Sequence, residues 1–299
     1  PRTHPQLGIW ARSKAFQGTD LILALGVDWD FRTGYGAKIS DDAVVVQVDL
    51  EPTKIGWNRT AHHGIIAHPG RFLGQLAGLS ERFATTDRPW MEEIGGLEAE
   101  RQTQADTEAD DETAPPLPQR FGRDVADFFG DDSIVAVDGG DIVSTTAKWL
   151  RIAHPGHVLE PGPAGTLGTG PGFALAAKVV HPDKRVGIVF GDGAFGFNGF
   201  EFDTYVRHGL DIIGVVGNDG VWNNIKTFHR MFYGDRVVAS DLGRRPYHDV
   251  VSALGGHGEL VMKPSDLRPA LDRAAASGKP ALVNVHLTET TRASSNYGG

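Results

Sequence analysis

Short runs of Val, Ile and Leu at 21–27, 43–48, 134–137, 186–190, 212–216 and 281–285 constrain this chain more than any other feature. They are too short and too β-branched for surface helices, and loop chemistry follows each one. Such runs suit parallel strands covered on both faces. From Phe121 onward, helix-period segments separate them, which is the pattern of a doubly wound parallel sheet. The expected fold is therefore α/β. Residues 1–83 are expected to form part of one α/β domain, 119–289 a doubly wound domain, and 290–299 a polar tail, either a frayed end or a lid. Between them, 84–118 reads as a linker with a helix near Trp90 to Glu100. Its acidic stretch from Glu108 to Glu112 and its Pro115-Pro116-Leu117-Pro118 run cannot bury a core.

Composition removes several function classes. The net charge of −9 argues against a non-specific nucleic-acid binder, which needs a basic face. The absence of cysteine excludes disulfides, thiolate metal sites and cysteine nucleophiles, and fits a reducing cytoplasm. No apolar run reaches about 18 residues, so no membrane span is expected. The chain opens at Pro1 without an initiator Met or a signal-peptide layout, which suggests a processed, cut or partial polypeptide. His62, His63 and His229 lack the organised spacing of a metal hydrolase such as His-Glu-x-x-His.

Ligands of doubly wound folds bind beyond the carboxyl ends of the strands. The informative loops are thus those after Val137, Phe190 and Val216. The run 186–190 leads into Gly191-Asp192-Gly193-Ala194-Phe195-Gly196, with a helix expected to start near Asn198. The glycine spacing matches that of a dinucleotide loop, which keeps a nicotinamide-dependent dehydrogenase in view. Asp192 argues against it. A carboxylate about 5 Å from a pyrophosphate is repelled by roughly 3 kcal/mol at an effective dielectric near 20. A divalent cation between them removes that cost by taking oxygens from both. The next strand ends in Asn218-Asp219-Gly220, and adjacent parallel strands would set Asp219 beside Asp192 around one ion. An ordinary helix start and turn at these positions is the competing reading.

Gly191-Asp192-Gly193 followed by Asn218-Asp219 resembles the GDG…NN signature of thiamine-diphosphate enzymes. The stretch 160–172, ending in Gly165-Thr166-Leu167-Gly168-Thr169-Gly170-Pro171-Gly172, resembles the segment of that family that contacts the thiamine ring. Asp138-Gly139-Gly140-Asp141-Ile142-Val143 resembles its diphosphate loop. These segments resemble most closely 2-hydroxyacyl-CoA lyases and oxalyl-CoA decarboxylases, above all the segment from Gly193 to Phe202, with acetolactate-synthase-like enzymes next. Residues 1–80 look like the later half of the family's central domain, which is Rossmann-like.

The resemblance implies a thiamine-diphosphate-binding fold and specific roles. Asp192, Asp219 and the main-chain carbonyl of Val221 would bind Mg2+. Gly140, Asp141, Gly191, Gly193, Ala194 and Phe195 would surround the diphosphate. Gly165, Thr166 and Leu167 would meet the ring, with Leu167 wedging the cofactor into a bent shape and the Gly165 carbonyl accepting from its amino group. The substrate would be an acyl-CoA or a 2-keto or 2-hydroxy acid. The family's activating glutamate lies on a pyrimidine-binding domain without a counterpart here, so an N-terminal segment or another chain would supply it. A homodimer or homotetramer is implied. Asp219 departs from the usual Asn but remains a hard oxygen ligand. Gly26, Arg32, Thr33, Gly34, Gly36 and Asp49 have a layout that suits ADP or FAD, but a purely structural domain is the favoured reading. A non-catalytic subunit that keeps the fold for assembly is the remaining reading.

Overall fold

The computed structural model describes residues 11–82 and 89–290. Two compact units divide the chain between Gln102 and Thr103. In the smaller unit β1 (Leu21–Leu25), β2 (Val44–Asp49) and β3 (His63–Ile66) lie side by side in that order, all parallel. The runs 21–27 and 43–48 supply the first two. The third was not legible, because His63-Gly64-Ile65-Ile66 offers only two apolar residues in four. Ala24, Trp29, Ile39, Ala43 and Val45 form the small core. The polar groups of the glycine-rich turn are engaged locally. Asp30 accepts from the Arg32 main chain at 2.9 Å and pairs with its guanidinium at 2.8 Å. Lys54 pairs with Asp28 at 2.8 Å, and Asp49 accepts from the Glu51 amide. These bonds favour the structural reading of this unit over the nucleotide one.

Within the stretch read as a linker, Pro89–Ala109 form a helix of 21 residues, longer than the segment expected to be helical. Its many Glu, Gln and Ala residues have good helix propensity and no marked apolar stripe. That composition resembles a solvated loop when judged by hydrophobicity alone. Residues 83–88 and the tail from 291 lie outside the described residues, so the lid expectation falls there as well.

The larger unit contains a six-stranded sheet. Numbering the preceding helices α1 (Arg12–Gly18), α2 (Pro69–Ala77) and α3 (Pro89–Ala109), it begins with α4 (Pro118–Phe129) and β4 (Ile134–Asp138). There follow α5 (Asp141–Ala147), β5 (Val158–Leu159), α6 (Gly170–Val180), β6 (Val186–Gly191), α7 (Asp192–Asn198) and α8 (Glu201–His208). Then come β7 (Ile213–Asn218), α9 (Asn223–Tyr233), α10 (Tyr247–Ala253), β8 (His257–Val261), α11 (Pro264–Ala276) and β9 (Ala281–His286). The strand order is β5-β4-β6-β7-β9-β8, every pair parallel. β4, β6 and β7 are buried almost throughout, as their continuous apolar runs require.

One expectation needs correction. The helix after β6 starts at Asp192, not near Asn198. The glycines at 191, 193 and 196 read as loop, yet Gly191 ends β6 and caps α7, and Gly193 and Gly196 lie within its first turns. Asp192 is the acidic first-turn residue that a helix start favours.

Packing against this sheet is close. Phe129 from α4 lies against Gly187 of β6, where a Cβ would stand 2.1 Å from Phe129 Cζ. Gly187→Ala is expected to cost about 1–3 kcal/mol through overpacking. A urea or thermal unfolding midpoint indistinguishable from wild type would contradict this packing.

Candidate cofactor-binding site

The ladder between β6 and β7 pairs Gly191 with Gly217, so the loops leaving these strands start side by side. On the other side β4 pairs Asp138 with Phe190. Three neighbouring strands thus open into one cleft. Gly140, Asp141, Gly191, Asp192, Gly193, Ala194, Asp219 and Val221 all line it. The two carboxylates singled out from the sequence are therefore brought to one place.

Asp192 is 4% exposed. Its Oδ1 accepts from the Gly193 amide at 2.7 Å, and its Oδ2 from the Gly220 amide at 2.7 Å. The second bond ties the β6 loop to the β7 loop directly. Burial pushes its pKa up to about 6, against the pull of these amides. Asp219 is pushed up to about 7, first by burial and next by the charge of Asp192, with Asp141 and Glu289 adding to it. Its Oδ1 accepts from the Val221 amide at 3.2 Å. Such a pair is costly when ionised and uncompensated.

The β7 loop is held from behind. Gly220 has φ of +81°, and its carbonyl accepts from both Leu242 and Gly243 at 2.8 Å. The Trp222 amide donates to the Ser240 carbonyl at 2.7 Å. The Trp222 ring lies against Gly193, where a Cβ would meet Cζ3 at 2.3 Å, so only glycine fits at that position. Asn218, fully buried, donates from Nδ2 to Asn284 Oδ1 and to the Arg245 carbonyl. It faces the sheet interior while Asp219 faces the cleft.

Sequence reasoning did not single out two polar groups of the cleft wall in their structural roles. Asn223, 6% exposed, donates from Nδ2 to Asp141 Oδ2 at 3.0 Å, while its Oδ1 has no protein partner. Asn224 Oδ1 is likewise buried without one. A buried acceptor in that condition calls for a donor or a cation. Both residues follow the motif, where an Asn-Asn pair carries no signal until the fold turns it inward.

Other expected residues lie elsewhere. The Phe195 side chain packs in the core against Phe190, Phe202 and Tyr247, so only its main chain remains for a ligand. Gly165, Thr166 and Leu167 do not line the cleft. Gly165 and Thr166 are exposed and Leu167 is half-buried, on a loop where Gly165 has φ of +58°. The loop is anchored just downstream. Asp138, 1% exposed at the end of β4, accepts from the Gly168 amide at 3.0 Å and from the Gly170 amide at 2.8 Å. Burial raises its pKa, and these amides oppose the rise.

Among the described residues no three His, Asp or Glu side chains converge as a self-sufficient metal centre. A cation held here must add main-chain and ligand oxygens to those of Asp192 and Asp219. That donor set, with the free acceptors of Asn223 and Asn224, fits a hard divalent ion and an anionic ligand bridged by it. The sheet and cleft therefore define a class: a doubly wound α/β protein whose candidate ligand site lies at the carboxyl ends of parallel strands.

Comparison with known proteins narrows the class. Residues 138–285 match the thiamine pyrophosphate enzyme C-terminal TPP binding domain, and residues 1–76 match the thiamine pyrophosphate enzyme central domain. The acetolactate synthase large subunit IlvG of Mycobacterium tuberculosis is 40% identical over 276 residues, covering 92% of this chain and 50% of that protein. The 2-hydroxyacyl-CoA lyase 2 proteins of Caenorhabditis elegans and Homo sapiens are each 33% identical, covering 97% of this chain and 47% of theirs. The chain belongs to the thiamine pyrophosphate enzyme family. It spans about half the length of the curated relatives it matches.

Proposed function

We propose that the cleft binds thiamine diphosphate through its diphosphate and a Mg2+ ion, and that the enzyme makes or breaks a carbon–carbon bond next to a carbonyl. The observation that carries this reading is the pair formed by the buried Asp192 and the half-buried Asp219 at the ends of adjacent strands. Two carboxylates there are stable in ionised form only with a cation between them and the phosphate oxygens. Asp192, Asp219 and the Val221 carbonyl would hold the ion. The main chain of Gly140, Gly193 and Ala194 would face the diphosphate, and Gly165 and Leu167 would meet the ring. When bound, the cofactor supplies the carbon nucleophile of the reaction. This chain's residues neutralise the diphosphate and fix its place. The activating glutamate would come from a pyrimidine-binding domain on an N-terminal segment or another chain, in a homodimer or homotetramer.

The substrate we favour is a 2-hydroxyacyl-CoA, cleaved to or formed from a carbonyl compound and formyl-CoA. The segment from Gly193 to Phe202 supports it, as do the lyase relatives that match nearly the whole chain. The higher identity to the mycobacterial acetolactate synthase relatives, 40% against 33%, favours a 2-keto acid as the second reading. Calorimetric titration is the first test: thiamine diphosphate is expected to bind saturably and only with Mg2+. Magnesium-independent binding of NAD instead would overturn the proposal in favour of a dehydrogenase. Product analysis with a 2-hydroxyacyl-CoA and with pyruvate, on the enzyme completed by its pyrimidine-binding part, then separates the two substrates.

A further inference from the structure

We infer that Asp138 is a positioning residue that sets the Gly165–Leu167 loop for the cofactor's ring, independently of the grip on its diphosphate. The inference rests on the thiamine-diphosphate reading above and adds a residue to it.

The geometry is specific. Asp138 ends β4, and its side chain points to the segment leading into α6, not into the cleft. Its two oxygens take the amides of Gly168 and Gly170, one each. The fit leaves no room for a side chain: a Cβ on Gly170 would stand 2.8 Å from Asp138 Cβ. Gly168 has φ of +86°, a backbone region that glycine enters without strain. Two further side chains hold the same peptide run. Asn198, at the end of α7, donates to the Gly168 carbonyl at 2.7 Å. The Tyr205 hydroxyl, fully buried, donates to the Pro171 carbonyl at 2.7 Å.

Thus three side chains from three elements fix residues 168–171, while the loop just before them stands exposed. A short loop with a left-handed Gly165 owes its direction to its anchored end. A carboxylate is the acceptor that holds two amides at once, since both of its oxygens accept and neither donates. The Asp138 main chain continues into Gly139 and Gly140, so one strand end serves two ligand portions. Its backbone leads to the diphosphate wall and its side chain to the ring loop.

The test compares thiamine diphosphate with inorganic pyrophosphate, both titrated with Mg2+ into the full chain by calorimetry. Asp138→Asn replaces one acceptor by a donor facing an amide N–H. It is expected to weaken thiamine diphosphate binding about tenfold or more and to leave pyrophosphate binding within about twofold. Equal weakening of both ligands, or of neither, would overturn the inference. Asn198→Ala, at an exposed residue, removes a second anchor and is expected to shift the two affinities in the same unequal way by a few-fold. It carries the test should Asp138→Asn fail to fold, and equal effects there overturn the inference too. Wild-type protein that binds neither ligand would overturn the functional reading itself, and the inference with it.

Discussion

Asp192→Ala is expected to abolish measurable binding of thiamine diphosphate with Mg2+, a loss of at least about 100-fold, or roughly 3 kcal/mol. Asp219→Asn is expected to stay within about tenfold of wild type. The asymmetry follows from what each carboxylate holds. Asp192 offers an ion ligand and also bonds the amides of Gly193 and Gly220, so it joins the loops of β6 and β7. Truncation removes the ligand and leaves the Gly220 amide without its acceptor. At Asp219 the amide oxygen of Asn keeps a hard donor in place and removes a charge that Asp192 repels. Calorimetry on both variants decides the matter. Asp192→Ala binding with wild-type affinity would show that no shared cation lies between these side chains and the phosphate.

The second large effect is on stability without ligand. Both carboxyls have folded-state pKa values raised above the ordinary range, to about 6 for Asp192 and about 7 for Asp219. An acid raised in this way keeps its proton in the folded protein at pH values where the unfolded chain has released it. Folding then takes up protons, and stability falls as pH rises. The contribution is fully present below about pH 4 and is lost as pH rises through 6 to 7. Each proton involved changes stability by about 1.4 kcal/mol per pH unit within that window. Between pH 5 and 8, the melting temperature of the ligand-free protein is expected to drop by on the order of 5–10 °C. His286, whose pKa is lowered by burial, acts in the opposite sense and reduces the drop. Mg2+ with thiamine diphosphate should restore the loss at pH 8 more than at pH 5. Asp219→Asn should flatten the profile, and an unchanged slope in that variant would refute the assignment.

How much of this was legible depended on the kind of signal. The interior strands β4, β6 and β7 announced themselves as continuous apolar runs, because burial on both faces forces that composition. The meeting of Asp192 and Asp219 followed from parallel adjacency alone. The short strands β3, β5 and β8 did not announce themselves. His63-Gly64-Ile65-Ile66 and Val158-Leu159 are strands by virtue of their neighbours, not of their own residues. The start of α7 was misjudged because glycines that serve close approach look like loop. Asp138 lay within a motif thought to touch the diphosphate, yet its side chain turns toward Gly168 and Gly170. Nothing in a linear spacing says which way a strand's last side chain points when the bonded partner is thirty residues on.

The cleft draws its walls from β4, β6 and β7, which are consecutive and interior in the sheet order, while β5 and β8 form the margins. An insertion after the marginal strand β8 leaves the central hydrogen-bond ladders intact, whereas one after β6 or β7 would pull the two acidic loops out of step, and one after β5 would fall in the Gly165–Leu167 loop. The architecture thus separates a part that cannot be edited from one rim, at β8, that can. Divergence has somewhere to accumulate there without disturbing the meeting of Asp192 and Asp219.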